Sequence, residues 1–303
     1  MDKNQSTIFT GSKQIEVNDE TNAISFPVLV QYPTYQPPSP VNFGPFTMDV
    51  CPDAEIIDEK FPLLLISHGN SGSPLLYRTI CTHLAKNGYI VAMVEHYGNN
   101  RNNNHLEKSL ENLQYRPRHI RLTIDYLLAD PFFGKHISPD KIAIVGHSFG
   151  GYTALALTGG KPWTEAGQQI AVEKDPRIKA LVLLAPAAGY FFPENSLEDV
   201  HIPILLLIAE YDQYTPKKWT TDILLNGVPD KSIITLRTIK NAGHFSFISP
   251  FPPAMKSPGF LPSTDPEGFD REKFHQQLPE EILNFLHDNL KTDESLSKKT
   301  DSG

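Results

Sequence analysis

A chain of 303 residues, 40% of them hydrophobic and 20% charged, is long and apolar enough to bury the core of one large α/β domain. Its formal net charge of −8 leaves no basic footprint for a nucleic-acid backbone and disfavours docking on an anionic membrane. Two cysteines, Cys51 and Cys81, supply neither a disulfide framework nor a metal-ligand spacing and are expected as reduced, buried, small hydrophobes.

Residues 1–20 read as a polar N-terminal segment. No apolar core of a secretory signal is visible there, and no apolar run is long enough for a membrane-spanning helix, so a cytoplasmic chain without a transmembrane segment is the default expectation. Residues 24–32 (ISFPVLVQY) predict a strand, followed by a proline-rich connection to about residue 45. FPLLLISHG (61–69) is a continuous apolar run ending in glycine, as a strand buried on both faces requires. A helix over 76–87 closes at Asn87-Gly88, and GYIVAMVEH (88–96) is the next buried strand. Pro117 fits the first turn of a helix running to Leu128, before Asp130-Pro131.

KIAIVGHS (141–148) is a strand and FGGYTALALTG (149–159) the helix after it. Strands are also expected at 178–184, 203–209 and 232–239, helices near 217–225 and 273–290, and a frayed polar tail at 291–303. Alternating strands and helices specify a single α/β domain over residues 21–290, with a mostly parallel sheet flanked by helices on both faces. Ligands in such sheets bind beyond the carboxyl ends of the strands, where loop and cap insertions are expected.

Gly146-His147-Ser148-Phe149-Gly150 has the G-x-S-x-G form of a nucleophile elbow, with an apolar strand (Ile142 to Val145) before it and a helical stretch after it. Serine needs a base, and on this layout the chain order is serine, acid, histidine. Of the histidines downstream, His201 precedes a strand, while His275 and His287 fall on the terminal helix at expected surface positions. His244 follows strand 232–239 in a loop and is the candidate base. The acid should close strand 203–209: Asp212 is the candidate and Glu210 its nearest competitor. It would orient the imidazole and stabilise its charged form.

The oxyanion donors are expected to be the backbone N–H groups of Phe149 and of Asn70, with Ser71 in reserve for the second. His68 is expected to pin that loop by hydrogen bonds, and Glu95-His96 to be a hydrogen-bonded structural pair. The scattered histidines show no metal-binding pattern, and no nucleotide-binding loop occurs, so neither a metal nor a cofactor is expected.

The segments FPLLLISHGNSGSPLLYRTICTHLAKNGYIVAMVEHYGNN (61–100), GHSFGGYTALAL (146–157), IAEYDQYTP (208–216) and AGHFSF (242–247) resemble the α/β-hydrolase superfamily. The likeness is to the serine branch of the dienelactone-hydrolase and platelet-activating-factor-acetylhydrolase group, and it extends over most of residues 20–290. It implies an α/β-hydrolase fold and a serine carboxylesterase that forms an acyl-enzyme on a small-molecule ester with an apolar acyl group. Thioesterase, amidase, peptidase or polyester hydrolase activity would use the same residues, and a non-catalytic binding protein on this scaffold is the remaining alternative. Two departures stand out. Dienelactone hydrolases attack with cysteine, whereas this elbow holds Ser148. Acetylhydrolases of the platelet-activating-factor type place their acid after the preceding strand, but LLAPAAGYFF (183–192) contains no carboxylate, which returns the acid to Asp212.

Three stretches are long for plain connections: 159–176, 185–200 and 245–272. The first reads as a small cap anchored by Trp163. The third holds four Phe and five Pro between 245 and 262, stiff and apolar as a pocket wall should be. Ser71, His147, Tyr190, Phe191, Phe245 and Phe247 are the expected pocket residues.

Overall fold

The computed structural model describes residues 7–290, so the expected tail at 291–303 lies outside the described residues. In chain order the strands are β1 (Phe9–Asp19), β2 (Ile24–Thr34), β3 (Ser39–Phe43), β4 (Phe46–Pro52), β5 (Phe61–Ser67), β6 (Ile90–Val94), β7 (Ile137–His147), β8 (Ile178–Leu184), β9 (Ile204–Ala209) and β10 (Ile234–Ile239). The helices are α1 (Arg78–Lys86), α2 (Leu110–Ala129), α3 (Phe149–Leu157), α4 (Thr221–Gly227) and α5 (Arg271–Asn289). The strands form one sheet in the order β10-β9-β8-β7-β5-β6-β2-β1-β4-β3.

From β10 to β6 every neighbouring pair is parallel, while β2 joins β6 antiparallel and β1 joins β2 antiparallel over eleven residues. Within the parallel part, successive side chains enter opposite cores. Leu63 and Leu65 of β5 pack with α2 and α3, while Leu64 and Ile66 pack with α1 and α5. The apolar runs are continuous because both faces are covered.

Segment 1–20 is not merely a polar leader, since residues 9–19 are β1. Its buried positions alternate along only its second half, so apolar periodicity is weak there. The proline-rich stretch after β2 likewise holds the β3–β4 hairpin. Pro117 is not in a first turn either. Helix α2 starts earlier, where the Ser109 hydroxyl accepts from Asn112 N (3.1 Å). Pro117 therefore leaves the Leu113 carbonyl without its helical donor, and the buried Tyr152 hydroxyl donates to that oxygen instead (2.9 Å). Among the described residues no helix is long and apolar enough to cross a membrane. Cys81 is buried, but Cys51 is only half-buried.

Chain order and sheet order diverge at β5, which has β6 on one side and β7 on the other. Such a switch point opens a crevice beyond the strand ends. Ser67 pairs with Gly146, His147 with Leu184, Leu184 with Leu207, and Ala209 with Ile239, so β5, β7, β8, β9 and β10 all end along one edge.

Candidate active site

Ser148 leaves the end of β7 at φ 52° and ψ −118°, a conformation that costs a non-glycine residue of order 1–3 kcal/mol. Three backbone hydrogen bonds hold it. Ser148 N donates to Leu184 O (2.9 Å), and Ser148 O accepts from Gly151 N (2.9 Å) and Ala187 N (2.8 Å). Close packing explains the flanking glycines. A Cβ at Gly146 would lie 2.3 Å from Gly150 O, and one at Gly150 would lie 1.8 Å from Ser67 O.

The acid and the histidine meet because the loops after β9 and β10 are laced together. Glu210 N donates to Ile239 O (3.1 Å), Tyr211 N to Ala242 O (2.9 Å), and Asn241 N to a Glu210 carboxylate oxygen (2.7 Å). Glu210 thus closes the loop of β10. Asp212 instead faces the imidazole, with Oδ2 2.9 Å from His244 Nδ1. Its Oδ1 accepts from Tyr214 N and Thr215 N, both at 2.8 Å, and Oδ2 also accepts from the Thr215 hydroxyl (2.8 Å). Burial opposes ionisation of this carboxyl, but the imidazole and the Thr215 donors outweigh it and hold its pKa at about 2.

Ser148, Phe149, Asn70, Ser71, His147, Tyr190, His244 and Phe245 all line one cavity of about 960 Å³ beyond the strand ends. The Ser148 hydroxyl has no hydrogen-bond partner among the described residues, and neither do the backbone N–H groups of Phe149 and Asn70. The rest of the cavity's lining includes apolar Phe46, Ile248, Phe251 and Phe260 and polar Asn112, Thr164 and Glu165. The 159–176 segment supplies Thr164–Ala166 without forming a helix, its single bridge joining Trp163 to Gln169.

Two expected pocket residues lie elsewhere. Phe191 is buried in the core, packed near Tyr152 (ring centroids 5.8 Å apart). Phe247 ends the short turn that starts at His244 and is buried against Phe274 of α5 (6.0 Å). Apolar character alone does not tell a wall residue from a core residue behind it. His275 is not a surface residue. It is buried, with Nδ1 2.9 Å from the Thr79 hydroxyl and Nε2 3.0 Å from Ser246 O, so it ties α5 and α1 to the His244 turn. Glu95 and His96 do not bond to one another: Glu95 accepts from Asn102 Nδ2 (3.4 Å), while His96 Nε2 lies 2.8 Å from the Ser67 hydroxyl.

Of the groups that brace the site, sequence reasoning anticipated His68 and missed the rest. Gly69 N donates to the Tyr77 hydroxyl (3.2 Å), which lies 2.8 Å from His147 Nδ1, and His147 Nε2 lies 3.0 Å from His244 O. The tautomer that satisfies all three has Tyr77 donating to Nδ1 and Nε2–H donating to the carbonyl. Burial, aided by the neighbouring His244, pushes the His147 pKa down to about 3 and keeps it neutral for this role. His68 Nδ1 is 2.8 Å from Gly69 O and its Nε2 accepts from His96 N (3.2 Å), which pins the loop after β5. Arg271 anchors the 245–272 loop through Asp265 (2.9 Å), Pro262 O (2.7 Å) and Thr264 O (2.6 Å). No sequence pattern signals the Tyr77–His147–His244 contacts, because they join elements far apart in the chain.

Residues 41–125 match the family model of platelet-activating factor acetylhydrolase, isoform II. That stretch holds the loop after β5 but none of Ser148, Asp212 and His244. Two cutinases of Thermobifida alba are each 22% identical over 191 residues, covering 62% of this chain and 55% and 54% of their own lengths. A platelet-activating factor acetylhydrolase of Cavia porcellus is 26% identical over 199 residues, covering 51% of this chain and 41% of its own. The chain thus spans about half the length of the curated relatives it matches. A ferulic acid esterase from Streptomyces cinnamoneus superposes with a TM-score of 0.68 at 17% identity, over 94% of this chain and 91% of that one. The chain has the α/β-hydrolase fold. Its resemblances within that fold are to acetylhydrolase-like esterases, and Ser148 occupies a strained turn between β7 and α3.

Proposed function

We propose that this α/β-hydrolase is a serine carboxylesterase acting through an acyl-enzyme, with Ser148 as nucleophile, His244 as base and Asp212 as the orienting acid. The observation that carries the reading is the Asp212–His244 pair, 2.9 Å apart, beside a serine on a strained elbow in one cavity. Turned toward His244 Nε2, the Ser148 hydroxyl loses its proton to the imidazole as its oxygen attacks an ester carbonyl. The carbonyl electrons move onto oxygen, where the Phe149 and Asn70 N–H groups can receive the charge. Collapse expels the alcohol, which takes the proton from His244. A water activated by the same imidazole then releases the acid. Asp212 keeps the Nδ1 proton in place and offsets the transient imidazolium.

The aromatic wall of Phe46, Phe245, Phe251 and Phe260 favours an apolar acyl group of small or medium length. That the relatives named above are a cutinase, an acetylhydrolase and a ferulic acid esterase supports ester substrates. The test is labelling of Ser148 by a fluorophosphonate, followed by turnover of matched ester, thioester and amide substrates. The reading requires labelling that Ser148→Ala abolishes and turnover fastest on the ester. Absence of labelling in folded protein defeats it.

A further inference from the structure

Arg116, on α2, has no exposed surface and no carboxylate partner among the described residues. Buried guanidinium groups are ordinarily paired with an acid, because the desolvation cost is otherwise met only by hydrogen bonds. Here every acceptor belongs to the site's supports. Nη1 donates to Asn99 Oδ1 (2.7 Å), Nη2 to His68 O and the Ser67 hydroxyl (3.3 Å), and Nε to the Thr153 hydroxyl (3.2 Å). Asn99 in turn donates from Nδ2 to Asn70 Oδ1 (2.8 Å), and Asn70 donates to a Glu107 carboxylate oxygen (2.8 Å). The guanidinium carbon also lies 4.8 Å from the centre of the Phe149 ring.

One buried cation therefore touches both residues whose backbone N–H groups are the oxyanion donors: Phe149 directly, and Asn70 through Asn99. The three histidines around it, His68, His96 and His119, are held neutral by burial and by the guanidinium itself, so none of them competes as a positive centre. Burial pushes the Arg116 pKa down to about 9, which still leaves it charged at neutral pH.

Resting on the serine-esterase reading, we propose that Arg116 is a positioning residue of the oxyanion hole. It fixes the loop 67–72 through Asn99 and His68 O, and it holds Phe149 through its ring.

The test uses the whole chain as Arg116→Met, Arg116→Lys and Asn99→Ala. Turnover of p-nitrophenyl butyrate is normalised to the fraction labelled at Ser148, and affinity is measured for a trifluoromethyl ketone, which forms an oxyanion on that serine. For Arg116→Met, kcat per labelled site should fall on the order of 10²-fold, as for a donor displaced by about 1 Å. KM should stay within about threefold, and ketone affinity should fall in parallel with kcat. Arg116→Lys should recover part of the loss, because it restores the charge without the fork. Asn99→Ala should show the same split more weakly, and it decides the matter if Arg116→Met does not fold. Unchanged kcat and ketone affinity in the folded variants overturn the role while leaving the esterase reading intact. A wild-type protein that no fluorophosphonate labels overturns both.

Discussion

Asp212→Asn tests the acid with almost no change of shape, and the structure dictates which way the new amide sits. Oδ1 accepts from two backbone donors, Tyr214 N and Thr215 N, so the carbonyl of the asparagine must take that place. Its NH2 group then occupies the position of Oδ2, 2.9 Å from His244 Nδ1. A donor there makes Nδ1 an acceptor and moves the imidazole proton to Nε2, where it blocks proton uptake from Ser148. A wrong tautomer of this kind costs about 10⁴ in kcat, or about 5 kcal/mol of barrier. The turn survives, so the fold should too, apart from the lost charge. The carboxyl sits at about 2 rather than 3.8, a gap worth at most about 2.5 kcal/mol and, with solvent screening, about 1–2 kcal/mol. Because the folded-state pKa is depressed, that stabilisation is complete above about pH 4 and vanishes as pH falls toward 2. Steady-state turnover of p-nitrophenyl butyrate and thermal melts from pH 7 to pH 2 give both readouts. More than a tenth of wild-type kcat in Asp212→Asn refutes the assignment, as does an equal loss in Glu210→Gln.

Ser148→Ala should lower kcat on the order of 10⁶-fold while leaving the melting temperature near wild type, measured by ester hydrolysis and calorimetry. Gly150→Ala should cost about 4 kcal/mol or more in urea denaturation, or abolish soluble protein, since its Cβ would meet Ser67 O at 1.8 Å. Asn112 is buried at the cavity wall and its Oδ1 has no hydrogen-bond partner among the described residues. Asn112→Leu removes that orphan with the same branching at Cγ, and its larger methyl groups can extend into the cavity, so it should raise stability by about 1–3 kcal/mol, seen as a melting temperature several degrees higher. A fall instead would mean that the carboxamide is satisfied by ordered water.

The parallel strands β5 to β9 were legible because each is an apolar run buried on both faces, whereas β10, at the sheet edge, is largely exposed. The strained turn at Ser148 was legible from its glycines, and the meeting of Asp212 with His244 from chain order plus the position of strand ends. Glu210 against Asp212 could be weighed only by position along the emerging chain. What separates them in space is the Asn241 N–H that occupies Glu210, a contact made across 31 residues. Strands β1 and β3 were missed because their half-exposed or proline-bearing sequences carry little periodicity; β4 does alternate at Phe46, Met48 and Val50, and that signal was passed over amid the surrounding prolines. Phe191 and Phe247 are as apolar as Phe245, and only the turn in which each sits decides whether the ring faces the cavity or the core. Arg116 was invisible for a different reason. A lone arginine in an amphipathic helix reads as solvent-facing, and nothing local shows that α2 turns it toward the loop after β5.

The bracing contacts explain why the site can keep a strained serine without becoming loose. The end of β5, the elbow after β7 and the histidine loop after β10 are separate pieces of chain, and each alone would be free to drift. His147 joins them: its ring receives the Tyr77 hydroxyl that also holds Gly69, and it reaches the carbonyl of His244 itself. The residue next to the nucleophile thereby ties the oxyanion loop to the base, so a shift in one loop must be shared by the others. His147 can do this only while neutral, since a charged ring would lose its acceptor for Tyr77 and stand beside His244 when that imidazole takes its proton. Burial removes the charge from His147, so in the proposed mechanism two adjacent imidazoles have opposite duties: His147 holds position and His244 moves a proton.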